Sequence, residues 1–238
     1  MAAGFAFGSP GHGSPFGTPP TPRGSLKWAG QVATARRAAL HSLSALLQHQ
    51  RRWEAYAAES ARTLERLANA RTEHEYVTCH APDALGAHAV LSARLADASA
   101  RECELRMEAL QRELARLGDA NDGMQGAARE ARAAVAAAAG VLGDEWARSE
   151  VIARTASGAR LCALADVVAR EHARELELKT AIVAHLRALG CVCAPHEADE
   201  RNRLRALYLA SWIMQPGRSG HGDDSAEHCA RALREELS

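Results

Sequence analysis

The chain has 238 residues with 29 basic and 29 acidic side chains, so its formal net charge at pH 7 is zero. This balance argues against a general nucleic-acid-binding protein, which needs a basic surface to displace counterions. Hydrophobic residues make up 47% of the chain but aromatic residues only 4%. Because much of the apolar content is alanine, and alanine, arginine and leucine favour helices, the composition predicts an all-α protein.

The first eight residues contain neither a charged segment nor a long apolar one, and no later stretch has the uninterrupted apolar length of a membrane span. The six cysteines are scattered and lack the dense, regular spacing of a secreted disulfide framework. We therefore expect an intracellular protein with reduced thiols.

Residues 1–25 hold most of the prolines and are rich in Gly and Ser, so they have too little apolar surface to offset chain entropy. This composition predicts a disordered tail. The tail contains four Ser/Thr-Pro pairs, whose candidate phosphorylation sites are Ser9, Ser14, Thr18 and Thr21. If these sites are phosphorylated, the added charge would change what the tail binds. The alternative is that the tail is a plain spacer.

Two long periodic segments follow the tail. Apolar side chains recur at steps of three and four over residues 40–67, which predicts one long helix with Trp53 in its core stripe. After a predicted break at residues 82–86, a heptad seam runs over residues 103–117. We expect Gly118-Asp119 and Gly123 to end this second helix.

Two further segments continue the helical period. The third covers residues 124 to about 156 and has a face of small residues, and the fourth covers residues 160–189 with Gly190 as its C-terminal cap. After a loop in which Pro195 can start the next helix, a short helix is predicted to end at Gln215.

The last predicted helix begins at Asp224, with Glu227 three positions later completing a capping box. Long helices with narrow apolar stripes and short connections predict an elongated antiparallel helical bundle or coiled coil over residues 26–216. We expect residues 217–238 to form a linker and a short C-terminal helix. Because stripes this narrow seldom complete a core alone, we expect another polypeptide to cover part of the apolar surface.

The sequence contains no motif for catalysis or cofactor binding. It has no Gly-rich phosphate loop with a following Lys, no Gly-x-Ser-x-Gly turn and no His-Glu-x-x-His pair. Cys191 and Cys193, followed by His196, are the one cluster with the ligand types of zinc. A fourth ligand is not evident and the spacing is not Cys-x-x-Cys, so an ordinary loop with reduced thiols is favoured. We predict no enzyme activity, no cofactor and no resident metal.

Residues 208–216, Tyr-Leu-Ala-Ser-Trp-Ile-Met-Gln-Pro, are the most apolar and aromatic stretch of the chain. Tyr208 and Trp212 are four residues apart and share one helical face, and Leu209 and Ile213 load the neighbouring faces. Two hypotheses follow. The aromatic pair anchors a protein partner, or Trp212 fills the core of the protein's own bundle.

The run Glu175-Leu176-Glu177-Leu178-Lys179, followed by the Tyr-Leu-x-x-Trp-x-x-Gln-Pro pattern of residues 208–216, is similar to the cyclin-dependent kinase 2-interacting protein family. That family has Glu-Leu-x-Leu-Lys in its last long helix and the aromatic pattern after a loop. The match covers about residues 171–216. Residues 52–54, Arg-Trp-Glu, and residues 21–23, Thr-Pro-Arg, resemble the family's first helix and its N-terminal segment.

The resemblance implies a non-enzymatic adaptor of the nucleus, with a further cytoplasmic location as the alternative. It implies binding to a cyclin-dependent or other replication kinase and to an AAA ATPase assembly, in DNA replication, checkpoint signalling or ribosome maturation. We expect neither direct nucleic-acid binding nor a membrane partner. The residues expected to bind partners are Lys179, Tyr208, Leu209, Trp212, Ile213, Gln215 and Pro216.

Two other classes of protein remain alternatives. A coiled-coil structural subunit of a cytoskeletal or kinetochore complex would be favoured by parallel self-association through residues 103–117. A bundle enzyme or metal carrier would require bound metal.

Overall fold

The computed structural model of the protein describes residues 25–85, 88–190, 198–218 and 225–238. The helices are α1 (Ser25–Leu85), α2 (Ala89–Leu142), α3 (Asp144–Ser149), α4 (Gly158–Leu189), α5 (Ala198–Met214), a 3₁₀ turn (Pro216–Arg218) and α6 (Ala226–Leu237). Within these ranges the one β interaction is an isolated bridge between Val151 and Ser157. The all-α prediction is therefore confirmed. Among the helices of these ranges, none has a stretch long and apolar enough to cross a membrane.

Several residues singled out from the sequence lie outside the described ranges: the candidate phosphorylation sites Ser9, Ser14, Thr18 and Thr21, the candidate zinc ligands Cys191, Cys193 and His196, and the two predicted helix starts Pro195 and Asp224. Of the predicted tail, residues 1–25, the structure describes Ser25 alone, and this residue begins α1.

Helices α1 and α2 pack side by side in opposite directions and form a long hairpin. Three of the polar contacts between the two helices show this direction, because their positions move towards the start of α1 as they move towards the end of α2: His74 to Ser99 at 2.8 Å, Glu59 to Arg116 at 2.9 Å, and Ser42 to Glu130 at 3.3 Å. Trp53 is buried in the core, as its place on the leucine stripe predicts. The predicted heptad seam contributes Cys103, Leu110 and Leu117 to the buried residues, so it faces the interior of this chain.

Helix α2 does not end at Gly118 or Gly123, and the prediction of a separate helix from residue 124 to about 156 is wrong. The helix continues to Leu142 and stops at Gly143, which has a φ of 92° that glycine adopts without strain. An interior glycine costs a helix about 1 kcal/mol relative to alanine. This penalty is small beside the burial of the long apolar stripe of α2, so the helix runs through both glycines.

The two interior glycines have different surroundings. A Cβ atom built on Gly123 would lie 2.3 Å from ring atoms of His49 on α1, whereas one built on Gly118 would have no neighbour within 4 Å. Gly123 therefore permits a close approach of α1 and α2, and Gly118 has no such packing role.

Helix α4 runs along α2 in the opposite direction. The Gln125 side chain donates a hydrogen bond of 3.5 Å to the Ala169 carbonyl, and Arg132 pairs with Asp166. The predicted cap at Gly190 is confirmed, since this glycine follows Leu189 with a φ of 62°.

Helix α6 packs on α4 and buries Ala226, Cys229, Ala230 and Leu233 in the same core. The predicted capping box from Asp224 to Glu227 is wrong, because Ser225 is the N-cap residue and its hydroxyl accepts a hydrogen bond of 3.2 Å from the His228 backbone N–H. A serine hydroxyl satisfies this donor as well as an aspartate carboxylate does.

The other end of α6 is tied to the segment that precedes α4. The Glu236 carboxylate accepts hydrogen bonds from the Thr155 hydroxyl and from the backbone N–H groups of Thr155 and Ala156. These bonds, above all the one from the Thr155 hydroxyl, lower the pKa of Glu236 below its usual value because they favour the charged form.

We predict that Gly118→Ala raises the free energy of unfolding by about 0.5–1 kcal/mol, because alanine loses less backbone entropy than glycine in a helix. Gly123→Ala should gain less than this or lose stability, because the His49 ring must move to admit the new Cβ. Urea unfolding of both variants measures the difference. Adding His49→Ala to Gly123→Ala should restore the gain, and equal gains from the two single substitutions would contradict the close approach.

Candidate partner-binding site

Trp212, the central residue of the predicted site, lies in the protein core with 1% of its surface exposed. Its indole N–H donates a hydrogen bond of 2.9 Å to the hydroxyl of Ser60 on α1, and that hydroxyl donates in turn to the Ala57 carbonyl at 2.9 Å. A buried indole needs such an acceptor to avoid an unpaired donor. The structure therefore agrees with the second hypothesis for Trp212, that it fills the core of the protein's own bundle.

Lys179 is also fully enclosed, with 0% of its surface exposed. Its ammonium group forms an ion pair of 2.8 Å with Glu175 one turn earlier on α4 and donates a hydrogen bond of 2.9 Å to the Trp212 carbonyl. It also lies 4.4 Å from the centre of the Trp212 ring, within the range of a cation–π interaction. One buried cation therefore contacts both the side chain and the backbone of Trp212.

The reason the Trp212 carbonyl needs Lys179 lies four residues further along the chain. In a continuing helix this carbonyl would accept the N–H of residue 216, but residue 216 is proline and has no N–H. Gln215 then turns the chain with a φ of 47°, the left-handed conformation common just after a helix. Lys179 thus supplies the donor that Pro216 removes.

Glu175 links the turn after α5 to α4. One carboxylate oxygen pairs with Lys179, and the other accepts a hydrogen bond of 2.8 Å from the Gly217 backbone N–H. A Cβ atom on Gly217 would lie 2.8 Å from the backbone N and Cα of Glu175, so no larger residue fits there without a shift. We call this connected set, Ser60, Glu175, Lys179, Trp212 and Gly217, the α5 clasp.

Further polar contacts with α1 and α4 attach α5 to its neighbours. Arg205 forms a buried two-pronged ion pair with Glu75 on α1, with one of its hydrogen bonds at 2.8 Å. The Tyr208 hydroxyl forms a hydrogen bond with the His185 ring on α4, and the two rings meet edge to face with centres 5.5 Å apart. Tyr208 is therefore half-buried and turned towards α4.

The opposite side of α5 is apolar and open to solvent. Leu207 is 58% exposed, Ile213 57% and Met214 75%, and Ala210 between them is exposed as well. Helical spacing places Leu207, Ala210 and Met214 on one line, with Ile213 beside it. We call these four residues the outer face of α5.

The predicted site residues are thus brought together at α5 but differ in their exposure. Trp212 and Lys179 are buried, Tyr208, Leu209 and Gln215 are half-buried, and Ile213 and Pro216 are exposed. Sequence reasoning missed Ser60 and Gly217, and it gave Glu175 no role in the site. Pro216 was the available signal in the sequence. It has no N–H, so the Trp212 carbonyl needs a donor from elsewhere, and Lys179 is that donor in the structure.

Two observations concern metal binding and thiol chemistry in the described part of the chain. Within it, no group of three His, Cys, Asp or Glu side chains is placed to hold a metal ion. Burial, reinforced by the negative charge of Asp166, raises the pKa of the Cys162 thiol to about 11. This thiol is therefore protonated at neutral pH and is a poor nucleophile.

Neither a comparison with protein-family models nor a search of curated proteins finds a match for this chain. The resemblance to the cyclin-dependent kinase 2-interacting protein family rests on the motif residues quoted above.

We predict that Lys179→Met lowers the free energy of unfolding by about 3–5 kcal/mol, because it leaves the buried Glu175 carboxylate without its cation. The double variant Glu175→Gln with Lys179→Met should lose clearly less than the sum of the two single losses. Chemical denaturation of the four proteins measures this coupling.

Glu177→Gln is the matched control for this experiment, because Glu177 lies in the same motif but is exposed. It should change stability by less than about 0.5 kcal/mol. Additive losses from Glu175→Gln and Lys179→Met would show that the two buried groups do not depend on each other.

Proposed function

We propose that the protein is a non-enzymatic adaptor, an elongated antiparallel helical bundle or coiled coil that presents the outer face of α5 to a protein partner. The observation that carries this proposal is the exposure of Leu207, Ile213 and Met214 on a helix whose other side is fixed by the α5 clasp. The clasp residues position the helix, and the outer face makes the contact.

Physical arguments favour a binding role for this face. Single exposed apolar residues are common on protein surfaces, but here four lie on one face within about two helical turns. Such a face suits recognition of a helix by an apolar groove, and methionine adapts its shape to a partner surface. Because the clasp holds α5 in place before binding, little additional order is required when the complex forms.

The resemblance stated above suggests the partners. We propose a nuclear protein that binds a cyclin-dependent or other replication kinase and an AAA ATPase assembly, acting in DNA replication, checkpoint signalling or ribosome maturation. Tyr208, Leu209, Gln215 and Pro216 border the outer face and would contact the rim of such a partner. Lys179 and Trp212 would act through the position of α5.

A coiled-coil subunit that self-associates through residues 103–117 is less favoured. Cys103, Leu110 and Leu117 of this seam already lie in the core of the single chain. A second copy could reach them only if the α1–α2 hairpin opened, which would expose the rest of that core.

We predict that Leu207→Asp combined with Met214→Asp weakens partner binding by about thirtyfold or more, because a charge on the apolar face must be desolvated in the complex. Leu105→Asp is the matched control, since Leu105 is an equally exposed leucine on α2. Affinity purification of the three proteins from the source cell, with mass spectrometry and thermal melting, measures the effect.

Recovery of an AAA ATPase or a replication kinase with the native chain and the control, but not with the double variant, would support the proposal. Equal recovery with all three proteins would refute the outer face as the binding surface.

The variant Trp212→Ala tests whether Trp212 positions α5 or contacts the partner itself. If it positions α5, the variant should lower stability by about 3–5 kcal/mol and retain binding at low temperature, where the helix remains folded. Near-native melting with lost binding would instead indicate direct docking of Trp212.

We predict that the purified protein neither hydrolyses ATP nor retains a stoichiometric metal, because the sequence contains no phosphate loop and no complete ligand set. Elemental analysis after dialysis and a phosphate-release assay measure both properties. Metal that is retained and then lost on Cys191→Ser or Cys193→Ser would favour the metal-carrier alternative.

A further inference from the structure

A second apolar surface lies at the far end of the hairpin, where α1 begins and α2 ends. It is a groove of about 710 Å³ between the two helices. Its floor and walls include Thr34, Ala35 and Ala38 of α1 and Ala137, Ala138 and Val141 of α2. The Thr34 hydroxyl donates a hydrogen bond of 2.8 Å to the Gly30 carbonyl of its own helix, so it requires no partner from the groove.

The other side of α1 is already covered at this level. Arg36, which lies about half a helical turn away from the groove residues, donates a hydrogen bond of 2.7 Å to the Ile152 carbonyl. Ile152 and Ala156 of the same connection are buried against the hairpin. Among the residues that the structure describes, the hairpin end is thus covered on one side and open on the groove side.

Residues 1–24 have the composition and the position to occupy this groove. They lead directly into α1 at Ser25, and they contain all three phenylalanines of the chain, Phe5, Phe7 and Phe16. Arg23 is their one Lys, Arg, Asp or Glu side chain. An almost uncharged segment with aromatic rings matches an apolar groove whose small side chains leave room for rings.

The distances permit a return of the chain to the groove. Thr34 lies about 14 Å along the axis of α1 from Ser25, at 1.5 Å per residue. About 18 residues separate Phe7 from Ser25, and an extended chain of that length reaches roughly 60 Å. The prolines and glycines between them suit a reversal of direction.

We propose that residues 1–24 fold back along the hairpin and place Phe5 and Phe7 in this groove. In an extended segment the two rings, two residues apart, point to the same side, so both enter the groove together. Because the segment is tethered, its effective concentration is of the order of millimolar, and weak intrinsic binding is enough. A phosphate on Ser9 would place charge next to the bound rings and favour release.

The test uses the full chain with the photoreactive residue p-benzoylphenylalanine in place of Phe7. After irradiation at low protein concentration, peptide mass spectrometry should find crosslinks within one chain to residues 30–38 or 134–142. In the background of Ala137→Glu the yield should fall about tenfold, because a carboxylate in the groove disfavours burial of the rings. Ala136→Glu, at an exposed position on the other side of α2, should leave the yield unchanged.

The same photoreactive residue at Phe16 should give far fewer crosslinks to the groove. Crosslinks between two chains would indicate that a second copy of the protein, and not the chain's own N-terminal segment, occupies the groove. This result would overturn the proposal. An absence of groove crosslinks from position 7, or equal yields in the Ala137→Glu and Ala136→Glu backgrounds, would overturn it as well. Neither result depends on the identity of the α5 partner.

Discussion

The position of α5 depends on one missing hydrogen-bond donor. Pro216 leaves the Trp212 carbonyl without a helical partner in a place from which water is excluded, and an unpaired buried carbonyl is unfavourable. Lys179 supplies the donor, but its charge then requires a buried anion, which is Glu175. The second oxygen of Glu175 requires a further donor, which is the Gly217 N–H. Each group in the α5 clasp therefore satisfies a need that another group creates.

This arrangement explains why three large apolar side chains of α5, Leu207, Ile213 and Met214, remain at the surface. Of the α5 side chains that the structure describes, Arg205 and Trp212 are the buried ones, and both make polar contacts with α1. Buried ion pairs contribute little net stability compared with well-packed apolar side chains, but they tolerate few alternative geometries. The helix is accordingly fixed in rotation and register by polar contacts, while Leu207, Ile213 and Met214 stay exposed.

The sequence predicted the parts of the fold that depend on the helical period, namely the single helix over residues 40–67, the fourth helix and its end at Gly190. The predicted helix end at Gly118 and Gly123 was wrong. A glycine lowers helix stability by about 1 kcal/mol, but burial of the apolar stripe along α2 outweighs this penalty. At α5 the period could not decide which side faces inward, since Trp212 and Ile213 lie on different faces that are both apolar. Polar groups decide it, and their partners are distant in sequence: Ser60 is on α1 and Glu75 is more than a hundred residues from Arg205.

Because Trp212 is buried, the aromatic pattern of residues 208–216 cannot be read simply as a set of contact residues. A residue can be essential for a complex because it touches the partner or because it holds the touching residues in place, and loss of binding alone does not distinguish these roles. Removing the Trp212 ring would take away its hydrogen bond to Ser60 and its cation–π contact with Lys179, so the outer face would be held less firmly in its orientation. At temperatures at which the helix loosens, binding would weaken through the entropy of an unfixed helix, whereas at low temperature, where the helix remains folded, every contact residue is still in place. Substitutions on the outer face leave the clasp intact and therefore report on contact alone.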